Sequence, residues 1–123
     1  MREIKFRAWN KRRRFMDSAW MIDFEHGLVC HSKHNASDIN ACVLMQFTGL
    51  KDKNGKDIYE GDIIQTGDDV FYILYSNKDF CHVFWLSSQK NYMTLPFLKG
   101  IKDFEVIGNI YENPKLLEVS HDT

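Results

Sequence analysis

Turn-forming residues interrupt this chain so often that no amphipathic helix longer than about two turns fits into it. Lys53-Asn54-Gly55-Lys56 is the strongest of these signals, because Asn-Gly tolerates the positive φ values of a tight type I′ turn. Gly61-Asp62 makes a second corner, Gly67-Asp68-Asp69 a third and Ser76-Asn77-Lys78-Asp79 a fourth. Thr48-Gly49 is a further place to turn the chain. The runs that follow, "VFYILY", "FCHVFWL" and "FEVIGNIY", are rich in β-branched and aromatic residues. Short strands separated by short turns predict a small all-β barrel.

The amino-terminal part carries the same signature in a weaker form. In "REIKFRAW", Ile4, Phe6 and Ala8 fall on one face and Lys5, Arg7 and Trp9 on the other, which predicts a half-buried strand. "NKRRR" breaks it; "FMDSAWMIDF" and "LVCHS" predict two more strands joined through Glu25-His26-Gly27. "KHNASDINAC" is expected to be a loop with one helical turn capped by Ser37. Pro114, preceded by Asn113 as a cap, starts a second short helix. The expected fold class is mainly β, with α+β as the alternative and little helix. An antiparallel β subdomain over 1–45 precedes an SH3-like antiparallel barrel over 46–123, the two forming one compact unit.

A chain of 123 residues with 44% apolar and 27% charged residues can bury a core without staples. The net charge of −1 conceals an asymmetry. Residues 1–50 carry eight Lys/Arg against five Asp/Glu, a net +3, whereas residues 51–123 carry eight against twelve, a net −4. Such a split suits contact between copies or with an anionic partner. Cys30, Cys42 and Cys81 are too few and too unevenly spaced for a disulfide scaffold. No apolar run approaches the roughly 18 residues of a membrane span, and "MREIKFRAWNKRRR" is too charged for a signal peptide. A cytoplasmic protein with free thiols and no membrane contact is expected.

Each candidate chemistry in the chain has a structural alternative. Asp52, Asp57, Glu60 and Asp62 surround the central corner but lack the EF-hand spacing, and Asp62 suits an Asx turn better than a cation. His26, Cys30, His31 and His34 do not follow a zinc pattern. Cys30 is expected inward and His31 in water. Cys81 and His82 diverge on a strand, and Asp68-Asp69 is a turn. No nucleophile elbow or phosphate loop occurs, so neither catalytic residue, metal nor cofactor is expected, and the chain is not read as an enzyme. The best binding feature is Lys11-Arg12-Arg13-Arg14 flanked by Trp9, which joins positive charge to an aromatic face as single-strand nucleic-acid surfaces do. Tyr59, Tyr72, Tyr75 and Trp85 are candidates for a protein contact. Gly49, Asn54, Gly55, Gly61 and Asp62 are assigned to structural turns.

"REIKFRAW", "QFTGLKDKNGKDIYEGDII" and "FEVIGNIYENPKLL", in this order, resemble the YopX family of phage and prophage proteins. The resemblance implies a small cytosolic protein from a mobile element, mainly β or mixed α and β, that self-associates. It carries over no catalytic residue. The function expected is therefore a non-enzymatic, self-associating module that binds a host or phage protein. A nucleic-acid-binding module using the basic turn is the alternative.

Overall fold

The computed structural model describes residues 3–32, 35–76, 81–86, 91–94 and 103–118. They are mainly β, in antiparallel sheets, as the turn spacing requires. The chain divides into two units, Met1–Phe47 and Thr48–Thr123.

In the first unit, β1 (Phe6–Asn10) lies between β2 (Phe15–Ser18) and the start of β6 (Cys42–Lys51). Ala8 faces Asp17 on one neighbour and Leu44 on the other. Consecutive Ala8, Trp9 and Asn10 are all buried, so both faces of this end of β1 are covered. The expected alternation therefore fails at Trp9, and Ile4 lies exposed before the strand begins.

"FMDSAWMIDF" is two strands in two sheets. After β2 the chain crosses at Ala19-Trp20, where the Ala19 amide donates to Phe6 O and the Trp20 amide to Cys30 O. It then enters a three-stranded sheet of β3 (Met21–Asp23), β4 (Leu28–Ser32) and β5 (Asn35–Asp38). The loop expected over "KHNASDINAC" is this third strand followed by a 3-10 turn (Ile39–Ala41). The cap is Asp38, whose side chain accepts from the Asn40 amide; Ser37 points inward opposite Val29 instead.

In the second unit, β6 continues through Gly49 to Lys51, so Thr48-Gly49 does not turn the chain. Gly49 has φ +89 within the strand, the backbone of a glycine bulge. Thr48 Oγ1 spans it, donating to Ile58 O on β7 (Asp57–Tyr59) at 2.8 Å and accepting from the Leu50 amide at 3.2 Å. The Asn54-Gly55 turn is also not type I′. Arg14 is the one non-glycine with positive φ among the described residues, so Asn54 has negative φ and Gly55, at φ +81, alone supplies the left-handed step, its amide donating to Asp52 O at 3.0 Å. This is a type I turn closed by a bulge glycine.

A curled five-stranded sheet follows, with order β11-β10-β9-β8-β12. Its strands are β8 (Asp62–Thr66), β9 (Asp69–Ser76), β10 (Cys81–Leu86), β11 (Asn91–Thr94) and β12 (Glu105–Asn109). The last strand returns beside the first, as SH3-like barrels require. The turn at Ser76-Asn77-Lys78-Asp79 and most of "SSQKN" lie outside the described residues. Ile58, Ile64, Phe71, Ile73, Phe104 and Val106 form the buried core, with Leu50 against it. A helical turn, α1 (Lys115–Glu118), ends the described chain.

Gly108 on β12 sits beneath the start of α1. A Cβ there would stand 2.6 Å from Asn113 Oδ1 and 2.9 Å from Leu116 Cδ1. Asn113 Oδ1 already accepts from the Asn109 amide, so it cannot swing away without stranding that donor. Gly108→Ala is expected to cost about 1–2 kcal/mol in a thermal melt.

Candidate functional site

Pairing of β1 with β2 ends at Asn10 opposite Phe15 and leaves Lys11-Arg12-Arg13-Arg14 as the loop. Asn10 builds that loop. Its side-chain Oδ1 accepts from the amides of Arg12 (3.0 Å) and Arg13 (2.9 Å), and its carbonyl accepts from Arg14 N at 2.7 Å. The Lys11 amide donates to Ala41 O at 2.8 Å. All four loop amides are thus satisfied and the backbone is fixed.

Arg14 takes a left-handed φ of 57, which costs an L-residue about 1–2 kcal/mol. Its guanidinium lies 5.6 Å from the centroid of the Trp9 ring. Trp9 is 5% exposed, so it offers no face to a nucleic-acid base. The expected basic-aromatic platform therefore resolves into four exposed cations, Lys11 to Arg14, of which Arg14 lies over the buried Trp9 ring.

Beside the turn opens a cleft of about 170 Å³, walled by Asn10, Arg12 and Arg13 on one side and by β5 and the 3-10 turn on the other. Ser37 and Asn10 are its buried polar residues, and Asp38 stands at its rim, exposed. Asn10 Nδ2 donates to Ser37 Oγ at 3.1 Å. His31 Nε2 shares a 3.0 Å bond with the same hydroxyl. The His31 Nδ1 lies 2.9 Å from the carbonyl of Ser18, which can only accept, so Nδ1 carries a proton.

The cysteines and histidines do not converge. Val29 and His31 share the inner face of β4 while Cys30 lies on the other, the reverse of the expected phase. Polar partners for both ring nitrogens explain how a histidine can occupy that buried position. His26 is exposed, 2.7 Å from Asp23, and this bond holds the Asp23 carboxyl below its ordinary pKa. Burial pushes the Cys42 thiol up, only partly opposed by its hydrogen bond to Ser37, so it is no activated nucleophile. Cys30 and Cys42 are free thiols. His34 and the side chains of Cys81, His82 and Trp85 lie outside the described residues. Among the described residues, no three His, Cys, Asp or Glu side chains gather where a metal ion would need them.

The acidic corner is structural. Asp62, 1% exposed, accepts from the Tyr59 amide at 2.8 Å, and Gly61 before it has φ +86. Asp52 accepts from three backbone amides, two in its own turn and one on β12. Asp57 pairs with Lys51 at 3.9 Å.

The surface that sequence reasoning missed is the β3–β4 hairpin. Trp20, Met21, Phe24 and Leu28 are 65%, 46%, 78% and 37% exposed. On the outer side of the sheet Met21 faces Cys30 and Cys30 faces Ala36, while Leu28 stands between Asp23 and Asp38, so an apolar strip is flanked by two carboxylates. The signal was present in "WMIDF". A strand can bury only one face, and Ile22 with its partner Val29 takes it. Of the aromatics nominated earlier, Tyr59 and Tyr72 are half-buried and Tyr75 is exposed.

Among the described residues, no helix is long and apolar enough to cross a membrane. Comparison with curated proteins returns no match. Among solved structures the chain is similar to protein EF1440 from Enterococcus faecalis, with 26% identity and a TM-score of 0.64, over 95% of this chain and 99% of that one. Residues 5–118 match the family described as YopX protein, with the basic turn, the acidic corner and the closing strand all inside the matched span. The chain belongs to the YopX family.

Proposed function

We propose that this chain is a non-enzymatic, self-associating protein-binding module of phage or prophage origin, with the outer side of the β3–β4–β5 sheet as its contact face. One observation carries this: four large apolar side chains stand exposed on one small hairpin. Such side chains on a small sheet mark interaction surfaces, and covering one is worth about 1.5–3 kcal/mol. The occupant proposed is a second copy. The charge split, +3 over residues 1–50 and −4 over 51–123, lets the basic half of one copy face the acidic half of another. As the edge of its sheet, β3 can also accept an added strand. The structural engagement of Asp52, Asp62, His31 and Cys42 supports binding rather than catalysis.

Nucleic-acid binding is the alternative favoured by the exposed Lys11, Arg12 and Arg13. Burial of Trp9 removes its stacking partner and weighs against it.

Sedimentation velocity over a concentration series tests self-association. Species heavier than the monomer should grow with concentration; a strict monomer throughout would overturn the proposal.

A further inference from the structure

We propose that the cleft between the basic turn and the 3-10 turn binds a small phosphorylated molecule. Arg12 and Arg13 would hold the phosphate, and Asp38 a hydroxyl or amino group of the ligand's body. This stands apart from self-association, which rests on the β3–β4 hairpin.

The first support is electrostatic. Four consecutive cations on one tight turn repel each other, and the chain places them there with Arg14 in a left-handed conformation. Arg14 turns onto Trp9. Arg12 and Arg13 line the cleft, and among the described residues neither guanidinium has an ion-pair or hydrogen-bond partner. Paired guanidinium forks match the oxygens of a phosphate in charge and in geometry.

The second support is preorganisation. Asn10 fixes the amides of Arg12 and Arg13, and Asn10 is itself tied through Ser37 to His31. Little backbone freedom remains to be lost on binding. The third is size and sign. A volume of about 170 Å³ is below the roughly 300–1,000 Å³ of drug-sized sites, so the ligand is small. The Asp38 carboxylate at the rim would repel a second phosphate and accept from a hydroxyl or amine. A nucleic-acid strand, with its run of phosphates, fits this mixed rim less well.

Isothermal titration calorimetry on the full chain tests the site, with ribose 5-phosphate, ribose, inorganic phosphate and single-stranded oligonucleotides of increasing length as probes. Ribose 5-phosphate should bind, inorganic phosphate should bind more weakly, and ribose should give no heat. The R12A/R13A variant alters exposed side chains only and should keep its thermal melt while losing roughly tenfold or more in affinity for ribose 5-phosphate. Asp38→Asn, which keeps an oxygen for the Asn40 amide but loses the charge, should bind inorganic phosphate at least as tightly and narrow the preference for ribose 5-phosphate. Absence of heat with both phosphate probes, or unchanged affinity in R12A/R13A, would overturn the site. Equal affinity for ribose 5-phosphate and inorganic phosphate would overturn the role of Asp38. Affinity that rises with oligonucleotide length, without ribose 5-phosphate binding, would replace it with a nucleic-acid surface.

Discussion

Asp52→Ala is expected to destabilise the second unit by about 3 kcal/mol, the cost of stranding one buried and two partly buried amide donors. Asp52 Oδ1 accepts from the amides of Asn54 and Lys56 at 2.9 Å each, and Oδ2 from the Val106 amide at 3.0 Å. One carboxylate thus closes the 53–55 turn and fastens it to β12. The Lys53 amide reinforces the link through Phe104 O, as does its ammonium beside Asp103 and Glu105. Burial raises the Asp52 pKa, but the three amides and the nearby Lys56 charge outweigh it, so the net shift is downward from 3.8. A carboxyl depressed in the folded state adds stability above its unfolded pKa and loses it as pH falls through the folded value. Urea melts should therefore weaken below about pH 3.8 in the wild type. The same acid limb should be shallower in Asp52→Ala. Equal acid limbs in the two proteins would remove Asp52 from this role.

Phe71→Ala should cost more, about 3–5 kcal/mol. Phe71 is 2% exposed on β9 and belongs to the core formed with Ile58, Ile64, Ile73, Phe104 and Val106. Removing the ring leaves a cavity that the neighbouring sheet strands fill only in part. Tyr72, half-buried on the opposite face, is the control, and its alanine variant should lose much less. The measurement is the denaturant midpoint at constant m-value. Similar losses at both positions would mean that the core is not where the β9 alternation places it.

What the sequence made legible was local. Gly55, Gly61 and Gly67 all have positive φ, as short corners between antiparallel strands require. The runs after them became β7, β8 and β9 because turn chemistry and strand pattern agree there. Long-range effects were not legible. Asp52 looked like one carboxylate among four until β12, 54 residues away, supplied its third donor. "NYMT" became β11 because β10 offered it an edge. "NASD" became β5 in the same way, against its polar composition. The phase of β4 was misjudged because a buried Ser37, far from any strand signal, gave His31 a partner. The outward face expected for Trp9 failed because alternation does not show what packs over a strand's second face, and here Ala8, Trp9 and Asn10 are all buried.

The central claim is that the exposed β3–β4 hairpin is where copies meet. Its most direct test is light scattering of the wild type beside a Trp20→Ser/Phe24→Ser variant, both across a concentration range and with matched thermal melts. Both side chains are largely exposed, so the variant should fold with an unchanged melt. The account predicts association in the wild type and a monomer in the variant. An identical mass for the two proteins at every concentration would contradict it.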